Sequence, residues 1–204
     1  MLTEQQKSEL TKEKNLWQIY LLSRRIPSSK FNQISLLIGS VIMVVHVATT
    51  NQDTHEMAER VLKWAELGFG FAISTLGFLI AGFTVFATLS KPSLLLEMAR
   101  QKHDESQLSY LKYNFFIFFR VFIYYLIFSG VCLSFMILAQ PKGFVSQIIH
   151  HFSEPESVKR IFVSVAMVLI ASGFLMLLLQ LKSFTFNIYH SVMTSIRWIA
   201  DHPD

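Results

Sequence analysis

Residues 67–90 read LGFGFAISTLGFLIAGFTVFATLS, with no Asp, Glu, Lys, Arg or Pro. Wound into a helix rising 1.5 Å per residue, such a stretch is long enough to cross the roughly 30 Å hydrocarbon core of a bilayer. Phe31 to Thr50, Val121 to Ala139 and Ile161 to Leu181 have the same character. Helices of soluble domains keep a polar face, and these runs leave none. They predict an all-α polytopic membrane protein with four transmembrane helices, at about residues 31–50, 67–90, 115–139 and 161–181. The 204-residue chain is 52% hydrophobic and 16% charged, which leaves no room for a separate soluble fold. The expected organisation is a cytoplasmic amphipathic helix over residues 1–30, the four-helix membrane domain over 31–182, and a cytoplasmic C-terminal helix over 183–204.

With four spans both termini share a side. That side carries Lys7, Lys12, Lys14, Arg24, Arg25, Lys30, Lys91, Arg100, Lys102, Lys112, Lys182 and Arg197. The opposite side carries only Arg60, Lys63, Lys142, Lys159 and Arg160. The positive-inside rule then places both termini in the cytoplasm, and the net charge of +4 belongs to this asymmetry rather than to a nucleic-acid surface. Ser23-Arg24-Arg25 ahead of an apolar run has the outline of a twin-arginine signal. The run is too long for one, and His46 stands where a small residue is needed.

The connections have their own periodicity. Residues 3–25 read as one basic amphipathic helix stopped by Pro27. Asp53 and Glu56 mark a cap from which Met57, Val61 and Trp64 lead into span two. Phe144, Val145, Ile148, Ile149 and Phe152 suggest an interfacial helix, and Ser153-Glu154-Pro155-Glu156 a capping box before span four. Tyr189, Val192, Ile196 and Ile199 form an apolar stripe past the end of span four, so that helix is expected to continue into the cytoplasm and dock a partner.

Within the spans, Gly70, Ser74, Gly77, Ala81, Thr84 and Thr88 are separated by 4, 3, 4, 3 and 4 residues. That alternation holds small side chains on one face, where close backbone approach supplies packing energy in lipid. Asn32, Ser35, Gly39, His46 and Thr49 repeat the pattern in span one. The two faces could pack on each other, or one could meet a second protomer or line a passage. His46 is the ionisable residue deep in a span, a candidate polar site or a hydrogen-bonded structural histidine. The phenylalanines of span three read as a lipid-facing belt with Arg120 snorkelling from it.

Signs of chemistry are sparse. Cys132, the single cysteine, excludes an intrachain disulfide and Cys-x-x-Cys redox chemistry. His46 has no intramembrane histidine partner for a haem, since His55, His103, His150, His151, His190 and His202 fall in loops or tails. No nucleophile elbow, phosphate loop or zinc-helix motif is present. The expectation is a non-enzymatic protein without catalytic, metal or cofactor residues.

In span number, length and placement of termini the chain resembles the KwaA family, the four-helix membrane subunits of Kiwa anti-phage systems. The resemblance implies a homotetramer in the bacterial inner membrane that senses infection at the envelope and holds a soluble cytoplasmic effector, KwaB. A competing class is an oligomeric pore or ion channel that depolarises the membrane, with hydroxyls and glycines of spans one or two lining it.

Reporter fusions active only outside the cytoplasm should be silent at Asp204 and active near Lys142. An active C-terminal fusion would overturn the orientation.

Overall fold

The computed structural model describes residues 2–50, 52–140, 143–149 and 151–201. Lys142, His150, His202 and Asp204, which the topology and histidine readings invoke, lie outside the described residues. The helices are α1 (Glu4–Leu10), α2 (Leu16–Ser23), α3 (Lys30–Thr49), α4 (Thr54–Leu89), α5 (Pro92–Arg100), α6 (Tyr110–Leu138), α7 (Phe144–Ile149) and α8 (Pro155–Asp201). No strand occurs among the described residues; Lys102 and Ser109 form an isolated bridge in the α5–α6 connection. α3, α4, α6 and α8 are long and apolar enough to cross a membrane, making this a multi-pass protein. The 20 residues of α3 measure about 30 Å, while the 47 of α8 reach about 70 Å, well past one bilayer core.

Helix ends follow local hydrogen bonding. The Asp53 carboxylate accepts from the His55 amide (3.1 Å) and its carbonyl from Met57 (3.1 Å), so α4 starts at the expected cap and runs unbroken through span two. α8 opens one residue later than the Ser153 capping box predicts. Pro155 is its first residue, and the carbonyl of Glu154 accepts from Val158 (3.2 Å), because proline suits a position that needs no donor. The single helix expected over residues 3–25 is two. Thr3 and Gln6 form a reciprocal capping box at α1, and Asn15 accepts from the Gln18 amide (2.9 Å) while Gln18 accepts from Lys14 (2.8 Å). These two bonds start a fresh helix with Asn15 as its cap, and Thr11 to Asn15 is left outside both helices.

The chain divides into two compact units. Unit 1 comprises Met1–Ser28, Leu76–Tyr124 and Gln180–Asp204, and unit 2 comprises Ser29–Thr75 and Tyr125–Leu179. α4, α6 and α8 contribute a segment to each.

Unit 1 is centred on aromatic rings. Phe83 lies 5.5 Å from Phe115, 5.7 Å from Phe118, 5.6 Å from Phe119 and 6.0 Å from Phe122 between ring centroids, mostly edge to face. Phe118 meets Phe184 of α8 at 5.3 Å. The phenylalanines of span three are therefore core rather than a lipid-facing belt: Phe116, Phe118 and Phe122 are buried. Rings from three helices interlock because edge-to-face pairs gain attraction beyond area burial. Gly82 brings α4 close to α8, where a Cβ would stand 2.8 Å from Ile188 Cδ1.

Unit 2 packs through glycine. A Cβ on Gly68 would stand 3.0 Å from Cys132 Sγ and 3.1 Å from Phe128 and Phe174. Gly173 of α8 receives the Cδ2–Cε2 edge of Phe128, whose ring also meets Phe174 at 5.4 Å. Buried Tyr125 donates to the Leu177 carbonyl (3.0 Å), tying α6 to α8. α3 packs on α8 rather than on the small-residue face of α4. Asn32 Nδ2 donates to the Leu179 carbonyl (3.2 Å), Ser40 bonds Ser172 (2.9 Å), and Gly39 receives Leu175. Asn32 and Gly39 of the span-one motif thus meet span four, while His46 and Thr49 of the same motif stay exposed.

Gly173→Ala places a methyl group on a buried ring already held by Phe174, so it should lower stability by about 1–3 kcal/mol. Gly130→Ala, on the exposed side of α6 with nothing within 4 Å, should be neutral or gain up to about 1 kcal/mol of helix propensity. Thermal unfolding in one detergent compares them; equal melting would refute the ring-in-notch contact.

Candidate functional site

The stripe on α4 faces away from the chain's own packing. Gly70, Ser74, Gly77, Ala81, Thr84 and Thr88 are all exposed, and nothing lies within 4 Å of a Cβ built on Gly70 or Gly77. The buried side of α4 is a different series: Met57, Val61, Ala65, Gly68, Ala72, Leu79 and Phe86. At 100° per residue, Ile73 and Ile80 flank the stripe on one side and Phe78 and Val85 on the other, all of them exposed. The result is a shallow trough between apolar ridges, the shape that lets a second helix approach closely. Thr84 and Thr88 turn their hydroxyls back onto carbonyls of Ile80 (2.9 Å) and Thr84 (3.0 Å), leaving their methyl groups for packing.

His46 lies on the exposed side of α3, one turn before its end. Its carbonyl accepts from the amide (3.1 Å) and hydroxyl (2.6 Å) of Thr50, and its ring has no hydrogen-bond partner among the described residues. In the tail, α8 continues unbroken to Asp201. Its inward series is Phe184, Ile188, Ser191, Ser195 and Trp198, with Phe184 and Ser195 fully covered. Of the predicted stripe, Tyr189, Ile196 and Ile199 are exposed and Val192 is half-buried. The sequence pattern located the apolar residues but did not separate the covered face from the open one. Both faces carry apolar side chains at helical spacing.

A polar lock in unit 1 escaped the sequence reading. Arg120 does not snorkel; it is 8% exposed and donates through Nη1 to the carbonyls of Ser23 (3.2 Å) and Ile26 (2.8 Å). Ser23 is the last residue of α2 and Ile26 closes the turn that follows it, at the end where the helix dipole is negative. Lys112, one face along α6, donates to both oxygens of Glu13 (2.8 and 2.6 Å), with only 12% and 9% of the two side chains exposed. Tyr20 meets Tyr124 edge to face at 6.2 Å. Together these contacts dock the N-terminal segment along α6. The available signal was Arg120 itself, a cation set among phenylalanines that needs acceptors nearby.

The α5–α6 connection is folded tightly. The His103 amide donates to Leu108 (2.8 Å), Gln107 takes a left-handed φ of 57°, and the His103 ring stacks on Tyr113 at 4.2 Å. This places His103 and His190, assigned to a loop and a tail, on one half-open cavity of about 500 Å³ with Tyr110, Asn187 and Trp198. No family model, no curated protein and no solved structure matches the chain.

Arg120→Met removes the donors that hold Ser23 and Ile26, bonds of about 1.5–3 kcal/mol when one partner is charged. Hydrogen exchange over residues 16–27 should speed up, while exchange around Leu177 stays as in the parent. Unchanged exchange over 16–27 would show that the lock does not hold the segment.

Proposed function

We propose that this chain is a non-enzymatic subunit of the bacterial inner membrane, with both termini in the cytoplasm, that self-associates and anchors a cytoplasmic protein partner. The observation that carries this reading is the outward trough of α4, whose six small residues are exposed, with nothing among the described residues within 4 Å of a Cβ on Gly70 or Gly77. Lipid tails gain little from a trough, whereas a second helix gains van der Waals contact along its length. The exposed Tyr189, Ile196 and Ile199 on the α8 extension supply an apolar face of the kind a helical partner or its groove covers. The resemblance to KwaA adds a setting: four copies, a KwaB-like effector, and a role in sensing phage at the envelope. The inward-turned threonine hydroxyls support a packing seam over the wet lining that a pore would need.

Gly77→Leu with Ala81→Leu fills the trough and should weaken self-association about tenfold or more, read as oligomer mass in mild detergent. Gly130→Leu adds a leucine on the exposed side of α6 and should leave the mass unchanged. Tyr189→Ser with Ile196→Ser should abolish recovery of the partner from the native host without changing oligomer mass. Retained mass in the filled variant refutes the seam; lost mass with intact partner recovery in the tail variant refutes the docking face.

A further inference from the structure

We infer that a second cleft in unit 1 binds the phosphate of an anionic phospholipid. The cleft measures about 540 Å³, within the size range of small-molecule sites, and draws its walls from α1, α2, α5 and the α5–α6 connection. Two of its cations are already compensated: Lys112 by Glu13 and Arg100 by Glu97 (3.1 Å). Lys12, Arg25 and Lys102 have no carboxylate within ion-pair distance among the described residues, and Glu9 is the one uncompensated acid on the lining. Three free cations from segments far apart in sequence thus converge on one concave surface. The docking of the N-terminal segment by Glu13 and Arg120 is what brings Lys12 and Arg25 to face Lys102. A phosphate is the ligand chemistry that such a cationic pocket takes.

The choice of a lipid rests on the adjoining helix. α2 reads LWQIYLLS, without a charge, and exposes Leu16 (50%), Trp17 (64%) and Leu21 (46%). An exposed tryptophan between leucines, followed by Arg24-Arg25, has the composition of a helix lying at the headgroup level of a bilayer. Leu21 belongs both to this apolar face and to the cleft wall. A ligand seated there meets cations on one side and acyl-compatible surface on the other. A phospholipid uses both; a soluble phosphate leaves the apolar side unused. The site is separate from the α4 trough, so lipid retention and oligomer mass report different things.

The test uses the full chain purified in a neutral detergent, titrated with short-chain phosphatidylglycerol, phosphatidylcholine or inorganic phosphate, with bound adducts read by native mass spectrometry. Phosphatidylglycerol should bind at least about tenfold better than phosphatidylcholine, since only it brings a net negative headgroup. Combined Lys12→Gln, Arg25→Gln and Lys102→Gln should weaken it about a hundredfold, from a roughly fivefold contribution per charge near the surface. All three side chains are exposed, and the variant's melting in the same detergent verifies its fold. Lys12→Arg with Lys102→Arg should retain binding, as should Arg60→Gln with Lys63→Gln, which removes two positive charges from unit 2. Equal retention of the two lipids, or undiminished phosphatidylglycerol binding by a folded triple variant, overturns the site. Inorganic phosphate binding as tightly, with the same dependence on Lys12, Arg25 and Lys102, overturns the lipid assignment.

Discussion

Hydrocarbon offers apolar side chains nothing less favourable than one another, so helices in a bilayer are held by the closeness of their contacts rather than by expulsion from water. Here that closeness depends on the seating of Phe128 between Gly68 and Gly173. Three helices meet at one ring because two of them lack a side chain at the point of contact. Cys132 and Phe174 close the same space, and a few residues along Tyr125 adds a hydrogen bond that hydrocarbon does not compete for. α3 uses the same means on a smaller scale, with Gly39 receiving Leu175 and two polar bonds to α8.

Unit 1 solves a different problem. Its core is a cluster of phenylalanines around Phe83, and it must also carry a charged N-terminal segment. Arg120 and Lys112 do this from α6. Each is largely removed from solvent, and each finds acceptors in the segment it holds. A buried charge with its partner in place is tolerable, and the same charge left alone is costly, so these contacts specify one docking position more than they add stability. That position gathers scattered lysines and arginines into a single cleft.

Much of the remaining surface is apolar and uncovered by the chain itself. α3 exposes Leu37, Ile38, Val41 and Ile42, as a helix against lipid would. α4 exposes instead a trough of small residues between bulky ridges, and the far end of α8 exposes Tyr189 and Ile196. Lipid covers convex bulk well and a narrow trough poorly. This contrast between α3 and α4 is why the proposed self-association is placed on α4 and not on α3.

Charge-free runs such as 67–90 and 161–181 determined by themselves that the chain is helical and multi-pass, because length and the lack of a polar face suffice for that. Capping chemistry was equally local: Asp53 starts α4 where expected, and the Asn15 and Gln18 pair that splits the N-terminal helix was present in the sequence to be read. Periodicity found the small-residue faces of both α3 and α4, yet it could not say that the first half of one packs on α8 while the other is left exposed among the described residues. A face has the same spacing whether or not a neighbour covers it. The phenylalanines of α6 were misread for the same reason, since aromatic side chains suit both a lipid belt and an interlocked core. Arg120 needed the most from tertiary structure: its acceptors, Ser23 and Ile26, lie nearly a hundred positions earlier in the chain, and only folding brings their carbonyls within 3.2 and 2.8 Å of it.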